Sequence, residues 1–261
     1  MIKTILILLC ISLLVSCSSF QTAGVSTVQS NDVSLSIKQS VPESFFPKHY
    51  NIVAFGDSLT EGIGDTTNRG GYVPLLEEML LEYKGVKSVK MTNLGIKGNR
   101  TSHLIKRLET NDVRSSISTA NIVIITVGGN DVMKVVRDNF LSLSFEAFES
   151  EQRSYENRLR VIINQIRAIN ENTQIVLVGV YNPFFTLLGD LPEIDQVITN
   201  WNEGSNTVLQ QYERTTFVEV SDIFMDSEVN LLYTDEFHPN LLGYQLMAER
   251  INQYLETILS K

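Results

Sequence analysis

From residue 50 onward, short apolar runs alternate with longer stretches in which apolar residues recur every three or four positions. The short runs, rich in β-branched residues, predict buried strands, and the longer stretches predict amphipathic helices. The predicted strands lie at residues 51–55, 86–93, 121–127, 174–180 and 216–220. The main predicted helices lie at residues 72–83, 149–170, 194–214 and 239–259. This alternation predicts an α/β domain with a mostly parallel five-stranded sheet and crossover helices.

The last predicted helix begins at Pro239, because proline is favoured in the first turn of a helix. Its apolar positions recur at helical spacing at Met247, Ile251, Leu255 and Ile258. These side chains are therefore expected to face the sheet.

The first 17 residues have the organisation of a secretory leader. Lys3 provides a positive start, and residues 4–14 are almost entirely apolar but shorter than the roughly 20 residues that a transmembrane helix needs. Leu-Val-Ser-Cys at residues 14–17 is similar to the lipobox of bacterial lipoproteins, which implies cleavage before Cys17 and lipidation of that cysteine. An ordinary cleaved signal with an incidental Cys17 is the alternative. The anchored interpretation is favoured because the cysteine directly follows the apolar core and a small residue.

Residues 18–39 are rich in Ser, Thr, Gln and Asn and show no clear period, which is typical of a tether. The predicted organisation is a signal peptide at residues 1–16, lipidated Cys17 with a flexible tether at 17–47, and one folded domain at 48–261. We expect the protein to be exported and anchored to the outer face of a bacterial cell membrane. Two acyl chains are enough for stable anchoring, whereas one gives marginal affinity.

Net charge and cysteine content exclude several functional classes. The formal net charge of −9 at pH 7, without a basic run, would repel a phosphate backbone, so no nucleic-acid partner is expected. Cys10 and Cys17 are the two cysteines of the chain, and both lie in the leader. The folded domain therefore has no disulfide, no thiolate metal site and no cysteine nucleophile.

Four short motifs follow one another along the domain. They are Gly-Asp-Ser-Leu at residues 56–59, Asn-Leu-Gly-Ile-Lys-Gly at 93–98, Gly-Gly-Asn-Asp at 128–131 and Asp-Glu-Phe-His-Pro at 235–239. The first three lie where predicted strands end. Because ligands bind outside the carboxyl ends of parallel strands, these motifs are expected to meet at one rim of the sheet.

Three residues of these motifs suit nucleophilic chemistry. A serine hydroxyl is a poor nucleophile at neutral pH and needs a base. His238 can take the proton of Ser58 and later return it to a leaving alcohol. Asp235 precedes His238 by three residues, so a single turn can bring its carboxylate to the other ring nitrogen.

Each motif also has a purely structural alternative. Ser58 could cap a helix after a strand, residues 128–131 could form a turn, and His238 could simply start a helix. Turn chemistry does not require a serine, an asparagine and Asp-x-x-His in this order. The catalytic interpretation is therefore favoured for the set.

With these four motifs, residues 51–259 resemble the GDSL, or SGNH, hydrolase family of lipases and esterases. The resemblance implies a three-layer α/β/α sandwich of the flavodoxin-like type and catalysis without a metal or cofactor. It implies that Ser58 is the nucleophile, with His238 as base and Asp235 as its acid partner. The tether, the lipobox and the Asp-Glu-Phe-His-Pro-Asn ending look most like membrane-anchored bacterial lipoproteins of this family.

The same resemblance implies an oxyanion hole. The backbone N–H groups of Ser58 and Gly98 and the side-chain amide of Asn130 match its donors, and together they could bind the negative oxygen of a tetrahedral intermediate. Gly95 lies close to Gly98, and the sequence alone does not forbid it as the donor.

Two segments predicted as loops, at residues 132–148 and 180–188, are unusually apolar. We hypothesise that they line or cover an acyl pocket, with Phe140, Phe184, Phe185 and Leu188 as substrate-binding residues. The alternative is that both segments pack on the core.

The leading functional prediction is a monomeric, membrane-tethered serine esterase or lipase, with lipid esters such as lysophospholipids as favoured substrates. An O-acetyl esterase acting on cell-wall or other polysaccharide, or a thioesterase, is the alternative. A lipid- or wall-binding lipoprotein without catalysis ranks below both, because the four motifs are intact.

Overall fold

The computed structural model describes residues 46–139, 141–183, 192–225 and 227–259. The strands in these ranges are β1 Lys48–Gly56, β2 Val86–Gly95, β3 Ile122–Thr126, β4 Gln174–Val178 and β5 Thr215–Val218. They form one sheet in the order β2-β1-β3-β4-β5, and every neighbouring pair is parallel. The predicted α/β class with a parallel five-stranded sheet is confirmed.

Helices connect and cover these strands. They are α1 Ser58–Glu61, α2 Tyr72–Leu81, α3 Thr101–Arg107, α4 Asn111–Ser118, α5 Gly129–Asp138, α6 Phe145–Ile169, α7 Pro192–Leu209, α8 Ser221–Met225 and α9 Leu241–Leu259. Parallel strands require such crossover connections, since a tight turn cannot return the chain to the start of the sheet.

The sheet lies between two hydrophobic clusters because alternate residues of each strand point to opposite faces. Val53 and Phe55 of β1 enter a cluster with residues of α3, α4, α6 and α7. Ile52 and Ala54 enter a second cluster with residues of α2 and α9. Three layers result. The helical spacing in the last element is also confirmed, since Met247, Ile251, Leu255 and Ile258 all pack in the second cluster.

Strand register brings three of the motifs to one rim. Gly56, the last residue of β1, lies opposite Gly95 of β2 and Thr126 of β3. The segments that follow these three strands therefore leave the sheet at the same level, which is the placement expected for a ligand site in a parallel sheet.

Two predictions about local structure were wrong. The last helix begins at Leu241 instead of Pro239, because Pro239 forms an antiparallel bridge with Leu232 and Asn240 accepts a hydrogen bond from the Gly243 N–H at 3.0 Å. Most of the predicted loop at residues 132–148 is helical, since α5 ends at Asp138 and α6 starts at Phe145.

Other predictions lie outside the described residues. These are the signal peptide, Cys17 and nearly all of the tether, together with Phe140, Phe184, Phe185 and Leu188. Within the described ranges, the model contains no helix with the length and apolar content needed to cross a bilayer.

Candidate active site

Ser58 is the first residue of α1, immediately after β1. Asp57 caps this short helix, because its carboxylate accepts a hydrogen bond from the Leu59 N–H at 3.0 Å. The helix ends at Gly62, whose φ of 90° is a conformation that glycine adopts without steric cost. Ser58 is almost fully buried, with 3% of its surface exposed. The serine side chain is thus held at the rim of the sheet by a strand on one side and a helix on the other.

The structure brings Ser58, His238 and Asp235 together. His238 Nε2 lies 2.9 Å from Ser58 Oγ, and His238 Nδ1 lies 2.6 Å from Asp235 Oδ2. A neutral imidazole with its hydrogen on Nδ1 satisfies both contacts, since it donates to the carboxylate and accepts from the hydroxyl. Residues 180 positions apart in sequence therefore form one chain of hydrogen bonds.

The turn that carries Asp235 and His238 explains their spacing of three residues. Asp235 Oδ1 accepts hydrogen bonds from the backbone N–H groups of Phe237 at 3.1 Å and His238 at 2.9 Å. Glu236 has a φ of 54°, which closes the turn. Tyr181 donates its hydroxyl to the Phe237 carbonyl at 2.7 Å and ties the turn to the end of β4. One carboxylate thus orients both the backbone and the imidazole.

The hydrogen bonds within this turn also affect the pKa of Asp235. Burial alone would raise the pKa of its carboxyl. The hydrogen bonds from the backbone and ring of His238 and from the Phe237 N–H outweigh burial and lower the pKa below its usual value. Asp235 is therefore ionised at neutral pH and can stabilise a protonated imidazole.

Asn130 lies in the first turn of α5, and its position depends on Gly128. Gly128 has a φ of 124°, and a Cβ there would stand 3.0 Å from Val180 and 3.3 Å from Trp201. The Asn130 amide donates to the Asn99 carbonyl at 3.1 Å. One of its two N–H groups is thereby used for orientation, and the second remains for an acceptor near Ser58.

Gly95 and Gly98 differ in their surroundings. The Gly95 N–H already donates to Asn93 Oδ1 at 2.9 Å, and its Cα faces the backbone of α1. Gly98 is exposed and has a φ of 78°, and a Cβ there would meet nothing within 4 Å. Within the described residues, the Gly98 N–H makes no hydrogen bond. These contacts favour Gly98 over Gly95 as a donor to a ligand.

Arg107 connects the ends of two strands to the loop that contains Gly98, a role that no local sequence signal indicates. Its guanidinium donates to the carbonyls of Gly56 at 3.3 Å and Leu94 at 2.7 Å and to Asn99 Oδ1 at 3.2 Å. Its charged end also lies 4.8 Å from the centre of the Phe55 ring.

Asp131, in the first turn of α5, accepts hydrogen bonds from residues of two other helices. Thr101 donates its hydroxyl to Asp131 at 2.6 Å, and Arg158 donates to it at 3.1 Å. Burial raises the pKa of Asp131, against the effect of these hydrogen bonds. Arg158 also pairs with Glu151, so helices α3, α5 and α6 are joined beneath Asn130.

Asp57 is the second buried carboxyl at this rim. Thr126 donates its hydroxyl to Asp57 at 2.9 Å, and Thr126 contacts Thr60, which in turn contacts Tyr72 at 3.0 Å. Burial raises the pKa of Asp57 to about 7 despite the hydrogen bonds from Thr126 and Leu59. The folded protein therefore carries an unfavourable buried charge above neutral pH.

The Asp57→Asn variant is expected to remove the pH dependence that this carboxyl contributes. The pKa of Asp57 is about 7 in the folded protein and has the ordinary value of 3.8 in the unfolded chain. The folded state therefore binds this proton more tightly, and the resulting stabilisation is complete below pH 3.8 and is lost as the pH rises to about 7. Relative to the wild type, the variant should therefore gain about 3 kcal/mol between pH 5 and pH 8. Urea unfolding of both proteins at these two pH values measures the difference, and parallel pH profiles would contradict it.

A cleft opens beside Ser58, which we name the Ser58 cleft. It is lined by Ser58, Asn130 and Gly129, together with Thr126, Val180, Pro183, Tyr181 and Phe237 among others. Tyr181 belongs to the segment at residues 180–188 that is predicted to line an acyl pocket, and Phe237 belongs to the fourth motif, but neither is among the predicted substrate-binding residues. Within the described ranges, no three His, Cys, Asp or Glu side chains are grouped as metal ligands.

Comparison with known proteins identifies relatives of this chain. Residues 54–246 match the GDSL-like Lipase/Acylhydrolase family. The chain is 36% identical to the uncharacterized protein YpmR of Bacillus subtilis strain 168, over 94% of this chain and 92% of YpmR. It is 27% identical to the spore germination lipase LipC of Bacillus licheniformis, over 76% of this chain and 92% of LipC. The crystal structure of the lipase Lip_vut3 from a goat rumen metagenome has a similar fold, with a TM-score of 0.67 and 23% identity, over 77% of this chain and 95% of that one.

Proposed function

The chain belongs to the GDSL-like lipase/acylhydrolase family and is a serine ester hydrolase, and we propose that Ser58, His238 and Asp235 are its catalytic residues. The observation that carries this proposal is the continuous contact from Asp235 through His238 to Ser58, at 2.6 and 2.9 Å. These distances are within reach of proton transfer between a nucleophile and its base.

In the first half-reaction, Ser58 Oγ forms a bond to the ester carbonyl carbon, and its proton passes to His238 Nε2. The π electrons of the carbonyl move to its oxygen, which becomes an oxyanion. When the intermediate collapses, the bond from carbon to the alcohol oxygen breaks, and Nε2 returns the proton to the departing alcohol. An acyl group remains on Ser58.

Water completes the cycle by the same steps. Its oxygen bonds to the acyl carbon while a proton passes to His238 Nε2, and the bond to Ser58 Oγ then breaks as Nε2 returns that proton to the serine. The ionised Asp235 stabilises the imidazolium in both halves. Its lowered pKa supports this role, because a neutral carboxyl would not balance the positive ring.

The oxyanion is assigned to the N–H groups of Ser58 and Gly98 and to the Asn130 amide. Within the described residues, neither backbone N–H is used elsewhere, and Asn130 keeps one N–H beyond its bond to Asn99. Loss of one such donor typically lowers turnover by about 100- to 1,000-fold.

For the substrate we infer lipid-like acyl esters, with lysophospholipids as the natural example. The Ser58 cleft supports this inference, since Leu59, Val127, Val180 and Pro183 give it apolar walls around few polar groups. The name of the relative LipC, a spore germination lipase, also supports it.

A direct comparison of substrates tests this inference. The full-length chain is assayed for fatty acid release from palmitoyl lysophosphatidylcholine and for acetate release from acetylated xylan, with the Ser58→Ala variant as background. We expect kcat/KM for the lysophospholipid to be higher by about tenfold or more, on the scale that a few buried methylenes provide. Faster acetate release would establish the O-acetyl esterase alternative instead.

We also propose that the domain is held at the outer face of the cell membrane through lipidated Cys17. The apolar leader and the Leu-Val-Ser-Cys sequence at residues 14–17 support this location, which places the esterase beside its lipid substrates.

Metabolic labelling with a radioactive fatty acid tests the anchor. The wild type and the Cys10→Ala control should incorporate the label and remain with the membranes, whereas Cys17→Ala should incorporate none. Equal labelling of Cys17→Ala and the wild type would refute the anchor without affecting the catalytic assignment.

A further inference from the structure

A second cavity lies next to the Ser58 cleft, and we name it the side cavity. It is enclosed mainly by α5, α6 and α7, and the empty space inside it and at its opening together amounts to about 590 Å³. Its walls include Val132, Met133, Val136, Phe148, Val197 and Ile198. Among the described residues, no charged side chain lines it.

The side cavity adjoins the Ser58 cleft. Gly129, Tyr181, Pro183 and Phe237 line both spaces. Gly129 directly precedes Asn130, and Phe237 directly precedes His238, so the junction lies between the oxyanion donor and the base. The Tyr181 hydroxyl is engaged by the Phe237 carbonyl, which leaves its ring as an apolar wall.

At its far end the side cavity reaches the protein surface. Leu143, Phe148, Ile194 and Val197 line both the side cavity and a shallow surface depression that also includes Phe145. Leu143 and Phe145 are each 45% exposed, so large apolar side chains lie at this depression, beside Ser144 and Glu193. Among the described residues, the walls between the side cavity and this depression are mainly apolar.

We propose that the side cavity binds the acyl chain of the substrate, and that the substrates are esters of unbranched fatty acids long enough to fill it. This proposal rests on the proposed function. The acyl chain stays bound through both half-reactions, whereas the alcohol must leave and be replaced by water. An enclosed apolar cavity suits the part that stays bound.

Chain-length selectivity follows from this placement. Each methylene moved from water into an apolar cavity raises the specificity constant by about fourfold. The wild type should therefore show a rising kcat/KM from acetyl to longer acyl esters of one alcohol. Because the far end is open, the increase should reach a plateau without a sharp cutoff.

A substitution that fills the cavity tests the proposal. Val136 is half-buried in the wall formed by α5, and Val136→Phe would occupy the space of several methylenes. For p-nitrophenyl esters and the full-length chain, the ratio of dodecanoyl to acetyl kcat/KM should fall by at least about tenfold. Val161→Phe is the matched control, since Val161 is 42% exposed on α6 outside the cavity, and its ratio should equal that of the wild type.

Ile194→Trp fills the cavity from the opposite wall and provides a second test should Val136→Phe fail to fold, as judged by circular dichroism. Two results would overturn the side cavity as the acyl site and leave the proposed function intact. One is an unchanged ratio in a folded variant, and the other is a flat chain-length profile in the wild type with hydrolysis that still requires Ser58. Absence of Ser58-dependent hydrolysis of every ester would instead overturn the proposed function.

Discussion

Replacement of Ser58 by alanine is expected to lower kcat for ester hydrolysis by about 10⁵-fold or more, the scale seen when the nucleophile of a serine hydrolase is removed. The reason is that no acyl-enzyme can form without Oγ, and the oxyanion donors alone retain only a small part of the rate enhancement. Rates of p-nitrophenyl ester hydrolysis by purified wild type and variant measure the change.

The fold should survive this substitution. Among the described residues, the Ser58 side chain makes a single hydrogen bond, to His238, and the cap of α1 is supplied by Asp57. Loss of one such bond costs about 1 kcal/mol, or a few degrees in Tm. Ser116→Ala is a matched control, since in the described part of the chain the Ser116 hydroxyl donates only to the Asp112 carbonyl of its own helix, and kcat of this variant should be unchanged.

Labelling by an alkyl fluorophosphonate identifies the reacting atom independently of turnover. The wild type should gain the mass of one phosphonyl group and Ser58→Ala none. Removal of a serine nucleophile leaves far less than about one-hundredth of the wild-type rate. If Ser58→Ala kept more than about one-hundredth of that rate, another group would be the nucleophile.

The His238→Ala variant is expected to lose activity on a comparable scale, about 10⁴- to 10⁶-fold in kcat, because both proton transfers pass through Nε2. Asp235 would keep its hydrogen bonds from the backbone N–H groups of residues 237 and 238, so the turn should remain in place. The variant should therefore be folded and should still contain Ser58, but its reaction with fluorophosphonate should be strongly slowed.

His49→Ala serves as the control for this prediction. His49 lies on β1 far from the rim and contacts Ser88 at 2.6 Å, so its removal should leave kcat unchanged. Combining Ser58→Ala with His238→Ala should cost no more than either change alone, because the two groups act as one unit. Additive losses in the double variant would contradict a shared step.

Local patterns in the sequence were sufficient to predict most of the sheet and the turn from Asp235 to His238. The apolar run at residues 121–127 became the fully buried β3, and Asp-x-x-His became a turn in which one carboxylate bonds two backbone N–H groups and the ring. Both depend on interactions between residues close in the chain, which a short window contains.

The two errors about local structure have different causes. Pro239 is a favoured first residue of a helix, yet its bridge to Leu232 delays α9 until Leu241. The apolar residues after Asn130 were assigned to a loop, although Val132, Val135 and Val136 lie at helical spacing and pack against the core from α5. That spacing is a local signal, so tertiary structure was not needed to predict this helix.

The sequence by itself determined the five strands, the longer helices α2, α6, α7 and α9, the four motifs and their expected meeting at one rim, because periodicity and turn chemistry are properties of neighbouring residues. Tertiary structure alone decided the register of Gly56 with Gly95 and Thr126, the burial that raises the pKa of Asp57, and the side cavity between α5, α6 and α7. Solvent exclusion and cavity shape depend on surfaces from remote segments that pack together, and no single stretch of sequence contains that information.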